Sequence, residues 1–189
     1  MLRIAGLLLA AGGGSRYGMP KALARIDGEL MSSRALATLR AAGMDPIVAV
    51  IGAEAESVRN ALDWGSTILV PNPQWATGMG SSLRAGLAAL ASTDAEAALI
   101  LLVDTPRITP AALRRVAASA ISEDALLAAS YAGKQGHPVL LGRHHWAGVA
   151  ELAEGDTGAK PYLRAHAQAV RLIPCDDIAD GTDIDRPPT

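Results

Sequence analysis

The stretch LLLAAGGGSRYGMPKAL, residues 7–23, decides how the rest of the sequence is interpreted. It begins as a continuous apolar run, which is typical of a strand buried on both faces of a parallel sheet. Three consecutive glycines follow, and the cations Arg16 and Lys21 come soon after them. Glycines leave backbone N–H groups uncovered, and uncovered N–H groups beside cations attract oxyanions. The stretch therefore predicts a phosphate-binding loop directly after a buried strand.

The rest of the chain alternates apolar runs with segments of helical periodicity. This alternation is typical of an α/β fold in which helices cover both faces of a mostly parallel sheet, a three-layer α/β/α sandwich. Strands are predicted over Ile4–Ala10, Ile47–Ile51, Thr67–Val70, Ala97–Val103, Leu126–Ser130, Pro138–Leu141 and Val170–Ile173. Helices are predicted over Met31–Ala42, Ala55–Leu62, Ser81–Ala91, Pro110–Ala120, Trp146–Leu152 and Lys160–Ala165.

One segment breaks the alternation, because in residues 126–141 two apolar runs are joined by the short sequence AGKQG, Ala132–Gly136. A short glycine-containing connection between two strands favours a hairpin, so we expect one antiparallel element in the sheet. Elsewhere the boundaries agree with local chemistry, since Thr109 and Pro110 are suited to begin a helix and Gly43 to end one. No repeat or linker divides the sequence, and we expect one domain over residues 1–189.

The composition excludes several classes of function. The 17 Lys and Arg residues are balanced by 19 Asp and Glu residues, and aromatic residues make up only 3% of the chain, so a nucleic-acid partner is not expected. Cys175 is the single cysteine, which excludes an internal disulfide and is typical of a reducing compartment. No apolar run reaches the roughly 18 residues of a membrane helix, so no membrane partner is expected either. The expected location is the cytoplasm.

Two common phosphate cradles do not fit the glycine loop. Gly13 and Gly18 have the spacing of a Walker loop, but the Lys-Ser or Lys-Thr pair that must follow is absent. The dinucleotide pattern needs a third glycine where Tyr17 stands, and an acidic residue about 20 positions further on, where Thr38 stands. Neither common cradle therefore fits the loop.

The stretch at residues 7–23 resembles the loop of the MobA-like nucleotidyltransferases, and in particular of the molybdenum cofactor cytidylyltransferases. The resemblance continues in family order through NPQWATGMGSSLRAGL (72–87), LLVDTP (101–106), GHPVLLGR (136–143) and GDTGAK (155–160). It implies a Rossmann-like sheet of the nucleotide-diphospho-sugar transferase type. It also implies transfer of a nucleoside monophosphate from a nucleoside triphosphate, CTP, to a phosphorylated pterin cofactor, molybdopterin. Pyrophosphate is released, Mg²⁺ is the implied cofactor, and a molybdenum hydroxylase apoenzyme is a candidate partner.

In this reaction an acceptor phosphate attacks the α-phosphorus of the triphosphate, so the site must align two anions and shield their charge. Lys21 is the candidate that neutralises the triphosphate, and Arg16 the candidate that binds the leaving pyrophosphate. Asp104 follows the most apolar strand, where ligands of open α/β sheets bind, and its carboxylate suits Mg²⁺. The tail TDIDRPPT resembles a shortened form of the terminal family motif, which implies Asp185, rather than Asp183, as the second metal ligand.

The resemblance also assigns binding residues. The nucleotide-binding candidates are Leu9, Ala10, Ala11, Gly12, Gly13, Gly14, Lys21, Asn72, Gly78 and Ser81. The acceptor-binding candidates are His137, Asp156 and Lys160, and the predicted hairpin is expected to form a wall on the acceptor side.

Several of these residues also have a simpler interpretation. Arg16 and Lys21 are compatible with an ordinary solvated loop, Asp104 with a helix cap, and His137 with a structural hydrogen bond. The tail DDIADGTDIDRPPT is polar and acidic and contains two prolines near its end, so composition alone predicts a loosely held terminus.

Three alternatives for the function stay open at this point. The first is guanylyl transfer to the same cofactor, because the base is read largely by backbone. The second is oxidoreduction with NADH, because some relatives with loops similar to YGMPKAL are called nicotine blue oxidoreductases, although the dinucleotide pattern is absent. The third is a non-catalytic carrier that delivers the cofactor to a molybdenum hydroxylase.

Overall fold

A seven-stranded sheet runs through the protein in the computed structural model, which describes residues 1–188. The strands of this part of the chain are β1 (Ile4–Ala10), β2 (Arg25–Ile26), β3 (Glu29–Leu30), β4 (Ile47–Ile51), β5 (Ile68–Pro71), β6 (Ala97–Leu102), β7 (Leu126–Tyr131), β8 (Lys134–Gly142) and β9 (Arg171–Pro174). The α-helices are α1 (Met31–Ala41), α2 (Ala55–Asn60), α3 (Met79–Ala91), α4 (Pro110–Ala118), α5 (Trp146–Leu152) and α6 (Lys160–Ala165). Within residues 1–188, none of the helices combines the length and the apolar character needed to cross a membrane.

The large sheet has the strand order β5-β4-β1-β6-β8-β7-β9. β1 is the third strand in this order and pairs in parallel with β4 and with the central strand β6, so that Leu8 lies opposite Ala49 on one side and Leu101 on the other. β8 is antiparallel to both of its neighbours, while the other neighbouring strands pair in parallel. The predictions of a mostly parallel sheet with one antiparallel element are confirmed.

Helices cover both faces of this sheet. Along β1, Leu8 and Ala10 point to one face, and Leu7 and Leu9 point to the other. The first face packs against α1, α2 and α4, and the second against α3, α5 and α6. Because both faces are covered, the buried strands read as unbroken apolar runs, and the prediction of three layers is confirmed.

Two short turns differ from the sequence prediction. The hairpin turn is Ala132 and Gly133 alone, with φ of 49° and 74°, and β8 already begins at Lys134. The polar start of β8 concealed this, because a strand end that projects into solvent needs no apolar residues. The sequence prediction also missed the pairing of β2 with β3, whose turn is formed by Asp27 and Gly28 at positive φ. An Asp-Gly pair is a strong hairpin signal, and it was present in the sequence.

The direction of each strand decides which residues reach one edge of the sheet. β1 and β6 are adjacent and parallel, so both end at that edge, where the backbone N–H of Val103 donates to the carbonyl of Leu9 at 3.1 Å. β8 runs in the opposite direction, with Val139 opposite Ile100, so its beginning lies at the same edge. β9 is parallel to β7 and delivers the C-terminal tail, residues 175–188, to this edge as well.

The layered core predicts a graded response to truncation of leucine side chains. Leu99 in β6 is fully buried, whereas Leu172 on the edge strand β9 is 40% exposed. Leu99→Ala should lower the free energy of unfolding by about 2–5 kcal/mol, because it removes buried contacts and leaves a cavity. Leu172→Ala should lower it by only about 1 kcal/mol, because less apolar surface is withdrawn from water. Urea unfolding of both variants measures the difference, and equal losses would contradict the central position of β6.

Candidate active site

A lysine and two aspartates meet where β1 and β6 end. Lys21 begins a short 3₁₀ turn, Lys21–Leu23, that follows the glycine loop. Its Nζ donates to Oδ2 of Asp104 at 2.9 Å and to Oδ1 of Asp185 at 3.1 Å. Arg16 Nη1 donates to the other oxygen of Asp185 at 3.0 Å. Two cations of the loop after β1, a carboxylate after β6 and a carboxylate of the tail therefore form one network of ion pairs.

The two innermost members of this network are largely shielded from water. The side chains of Lys21 and Asp104 are 15% and 20% exposed, whereas that of Arg16 is 71% exposed. Burial lowers the pKa of Lys21, but its hydrogen bonds and ion pairs with Asp104 and Asp185 outweigh this, and the net pKa is raised. The hydrogen bond from Lys21 also lowers the pKa of Asp185. At neutral pH the site therefore holds Lys21 as a cation and Asp185 as an anion.

The C-terminal tail is fastened to the sheet edge at several points. The backbone N–H of Ile184 donates to the carbonyl of Asp104 at 2.8 Å. The Thr109 hydroxyl, at the start of α4, donates to the carbonyl of Ile178 at 2.9 Å. Asp177 accepts two hydrogen bonds from Arg115, at 2.6 and 2.9 Å. The prediction of a loosely held terminus is therefore wrong for this segment, because specific hydrogen bonds hold it and Ile178 and Ile184 pack against the core.

The acidic residues at this edge fit a divalent metal ion. Carboxylate oxygens of Asp104, Asp183 and Asp185 lie within 4.8 Å of one another. Oδ1 of Asp104 is buried and finds no hydrogen-bond partner within residues 1–188. A buried carboxylate oxygen without a partner is energetically unfavourable, and a hard cation such as Mg²⁺ would satisfy it. The family resemblance implies Asp185, rather than Asp183, as the second metal ligand. In the structure the carboxylates of both residues lie close to that of Asp104.

Two glycines of the loop pack too closely against their neighbours to carry a side chain. Gly14 has a φ of +64°, and a Cβ atom there would lie 2.8 Å from the carbonyl carbon of Met19. At Gly13 a Cβ atom would lie 2.8 Å from the ring of Trp75. Leu9, Ala10 and Ala11 are buried just before the loop, whereas Gly12 is exposed, so the surface presented to a ligand here is largely backbone.

Asn72 and Ser81 support the start of α3. The buried amide of Asn72 donates to the hydroxyls of Ser81 and Ser82 at 2.8 and 3.0 Å and accepts from the backbone N–H of Gln74 at 3.0 Å. The Ser81 hydroxyl also donates to the carbonyl of Gly78 at 2.9 Å. These polar atoms hold the turn before α3, and their predicted contact with the nucleotide stays a prediction.

The candidate acceptor residues fall into two places. A Cβ atom at Gly78 would lie 2.8 Å from Oδ1 of Asp156, so the GDTG segment docks against the start of α3. His137 is partly buried near Lys160 and Asp183. Burial and the charge of Lys160 lower the pKa of His137 to about 4, although Asp183 opposes the shift. His137 is therefore neutral at pH 7, while Asp156 lies at the amino terminus of α3.

Solved structures share this architecture over nearly the whole chain. The Rv0371c protein of Mycobacterium tuberculosis superimposes with a TM-score of 0.83 at 28% sequence identity, over 98% of this chain and 94% of that chain. A structure of the same protein in complex with manganese gives a TM-score of 0.73 at 26% identity, over 91% and 88% of the two chains.

Similar sequences carry two different descriptions. Nicotine blue oxidoreductase of Paenarthrobacter nicotinovorans is 33% identical over 190 residues, 96% of this chain and 92% of that protein. Molybdenum cofactor guanylyltransferase of Rhodobacter capsulatus is 33% identical over 121 residues, 63% of this chain and 60% of that protein.

The family described as MobA-like NTP transferase domain matches residues 6–170. The match includes the glycine loop, Lys21 and Asp104, and it ends before the tail that carries Asp183 and Asp185. Since it covers most of the chain, and since the sheet and the site edge agree with it, the chain belongs to the MobA-like NTP transferase family.

Proposed function

We propose that this nucleotidyltransferase moves CMP from CTP to the phosphate of molybdopterin and releases pyrophosphate. The observation that carries the proposal is the junction of Lys21 and Arg16 with Asp104 and Asp185 at the carboxyl edge of the sheet. Nucleotidyl transfer needs cations for the phosphates and carboxylates for a divalent ion at one place. These groups come from three separate parts of the chain, and the same edge receives His137 from β8.

The bond changes define what each residue must do. An oxygen of the acceptor phosphate forms a bond to the α-phosphorus, and the bond from that phosphorus to the bridging oxygen breaks. Its electron pair leaves on pyrophosphate. Lys21 stabilises the negative charge of the triphosphate, and Arg16 binds the departing pyrophosphate. Mg²⁺ held by Asp104 and Asp185, with Asp183 beside them, would supply further charge neutralisation, and the manganese complex of the similar Mycobacterium tuberculosis protein supports such a site.

The two cations must change partners when substrate binds. In the described state Lys21 and Arg16 both donate to carboxylates. Phosphate oxygens are charged acceptors of the same kind, so each cation can exchange a carboxylate for a phosphate without losing a charge-assisted hydrogen bond. The exchange frees the oxygens of Asp104 and Asp185 for the metal.

The acceptor side is proposed to use residues of both polarities. Lys160 offers a positive charge to the anionic group of the cofactor, and the neutral imidazole of His137 offers a hydrogen bond. Asp156, at the start of α3, is an acceptor for the N–H groups of a pterin ring. A molybdenum hydroxylase apoenzyme is the proposed recipient of the product.

Oxidoreduction with NADH is the second candidate, because the relative that aligns with 96% of this chain is a nicotine blue oxidoreductase. The local structure argues against it. In dinucleotide-binding folds the glycine loop leads directly into a helix whose amino terminus binds the pyrophosphate. Here β1 ends at Ala10 and the next α-helix begins only at Met31.

Pyrophosphate release tests the proposed reaction and its base. With Mg²⁺ and molybdopterin, CTP should give pyrophosphate at a higher kcat/KM than GTP, and omission of molybdopterin should abolish release. A higher kcat/KM for GTP would contradict cytidylyl transfer and would favour guanylyl transfer to the same cofactor. Absence of release with all four triphosphates would contradict nucleotidyl transfer to this acceptor.

Thermal unfolding separates the two candidate functions within the same experiment. CTP with Mg²⁺ at about 100 times its Kd should stabilise the protein by roughly 2.7 kcal/mol, which corresponds to a rise in Tm of roughly 5–10 °C for a chain of this size. NADH should leave the Tm unchanged. Stabilisation by NADH, without stabilisation by CTP and Mg²⁺, would favour the oxidoreductase.

Replacement of Lys21 tests its electrostatic role. Lys21→Met should lower the turnover number by more than about tenfold, equivalent to more than about 1.4 kcal/mol of barrier, because the triphosphate loses a shielded cation. Arg171→Met is the matched control, since Arg171 is an exposed cation at the start of β9, away from the site edge, and its turnover should equal that of the wild type. Circular dichroism monitors folding, and a parallel loss of fold and turnover in Lys21→Met would make Lys21 structural.

Binding of Mn²⁺, followed by electron paramagnetic resonance of the free ion, tests the metal site without turnover. Asp104→Asn should weaken Mn²⁺ binding by at least about tenfold, because it removes the buried carboxylate oxygen that lacks a partner. Asp94→Asn is the control, because Asp94 is an exposed carboxylate that pairs with Arg3. Unchanged binding in Asp104→Asn would place the metal elsewhere.

A further inference from the structure

Tyr131, the last residue of β7, contacts two segments that approach the proposed site from different parts of the chain. Its hydroxyl donates a hydrogen bond to the backbone carbonyl of His137 at 2.8 Å. One edge of its ring faces Gly136 and Gly181. A Cβ atom at Gly136 would lie 2.9 Å from ring carbon Cδ2, and a Cβ atom at Gly181 would lie 2.5 Å from the same carbon. One side chain therefore joins the beginning of β8 to the C-terminal tail.

Position 181 needs a glycine because a side chain there would overlap the ring of Tyr131, and not because of its backbone conformation. The φ of Gly181 lies outside the left-handed region, so other residues could adopt this backbone conformation. The ring of Tyr131 occupies the volume that a side chain at position 181 would need. The tail can therefore approach the ring this closely only because residue 181 is a glycine.

Gly181 lies between two backbone attachments of the tail. Before it, the N–H of Asp180 donates to the carbonyl of Arg107 at 3.4 Å, which is a long hydrogen bond. After it, the N–H of Ile184 donates to the carbonyl of Asp104 at 2.8 Å. The packing of Gly181 on Tyr131 thus holds the tail two residues before Asp183, the first tail residue of the acidic cluster.

The other half of the contact fixes the segment at His137. The hydroxyl of Tyr131 binds the carbonyl of His137, and the neighbouring Gly136 rests against the ring. The imidazole of His137 lies close enough to Asp183 for the carboxylate to influence its protonation. His137 and Asp183 each belong to a segment that rests on Tyr131, since Gly136 and Gly181 both pack against its ring.

We propose that Tyr131 is a positioning residue that sets the distance between the acceptor wall at His137 and the acidic tail at Asp183 and Asp185. Its ring positions the tail and its hydroxyl positions the wall. The inference rests on the proposed function, since it concerns the acceptor and the metal of that reaction. The two parts of the side chain can be removed separately, which allows each role to be tested.

Tyr131→Phe removes only the hydroxyl. The KM for molybdopterin should rise about 2- to 10-fold, the range expected for one lost hydrogen bond, because the His137 segment is no longer fixed. The KM for CTP, the turnover number and the affinity for Mn²⁺ should stay within about 2-fold of the wild type, because the ring still supports the tail. A merely structural role would instead change all of these constants together.

Tyr131→Leu removes the ring as well. The affinity for Mn²⁺ should fall at least about tenfold, because Asp183 and Asp185 are no longer held beside Asp104. Hydrogen exchange at the backbone N–H of Ile184 should become at least about tenfold faster, because its hydrogen bond to Asp104 opens more often. Gly181→Ala should reproduce both effects from the other side of the contact, and it provides the test if Tyr131→Leu does not fold.

Arg115→Gln is the matched control for a general loosening of the tail. It removes the ion pair with Asp177 but leaves the contact at Gly181 intact, so Mn²⁺ affinity and the exchange of Ile184 should equal those of the wild type. Equal losses in Arg115→Gln and Tyr131→Leu would overturn the inference. Wild-type Mn²⁺ affinity and exchange in both Tyr131→Leu and Gly181→Ala would overturn it as well.

A failure of the proposed function can be distinguished from a failure of the inference about Tyr131. In that case the wild type would release no pyrophosphate from any triphosphate, so the prediction for the molybdopterin KM would fall with it. Exchange at Ile184 needs neither metal nor substrate, and it would still decide whether Tyr131 positions the tail.

Discussion

The candidate site depends on the ion pairs that the ammonium group of Lys21 forms with Asp104 and Asp185. The ammonium group lies between a carboxylate that follows β6 and a carboxylate of the tail, and it is mostly shielded from water. Burial disfavours the charged ammonium group, but the hydrogen bonds and ion pairs with Asp104 and Asp185 outweigh this and raise the pKa of Lys21. The loop after β1, the end of β6 and the C-terminal tail are therefore mutually dependent, although they lie far apart in sequence.

The topology of the sheet explains how these segments reach one place. Parallel strands end at the same edge, which brings the glycine loop after β1 to Asp104 after β6. The reversed strand β8 delivers its beginning to that edge, and with it His137. β9 then ends beside Ser130 and leads into the tail. A single antiparallel strand in a mostly parallel sheet is thus the feature that brings His137 to the edge where ligands of open α/β sheets bind.

The sequence predicted the sheet, its helices and the cationic loop, because each depends on local patterns: unbroken apolar runs, helical periodicity and consecutive glycines. It could not predict the contacts made by polar groups far apart in the chain. The tail is an example, since its composition is that of a loose terminus and its attachment depends on partners such as Arg115 and Thr109. Asn72 is another example. An isolated asparagine after a strand does not indicate that its side-chain amide donates hydrogen bonds to two serine hydroxyls. The support given by Tyr131 likewise has no local signature.

The charge balance of the site explains why metal and nucleotide are expected to bind together. Lys21 and Arg16 supply two positive charges to the network, and Asp104, Asp183 and Asp185 supply three negative charges when ionised, so the sum is one negative charge. A triphosphate that approached this cluster alone would be repelled, because like charges interact strongly where water is partly excluded. A divalent ion bound by the carboxylates would change the sum to one positive charge and would free Lys21 and Arg16 to bind the phosphates. In the proposed reaction the acidic tail would therefore do more than supply metal ligands, since its carboxylates would keep the cations paired until the metal and the anion bind.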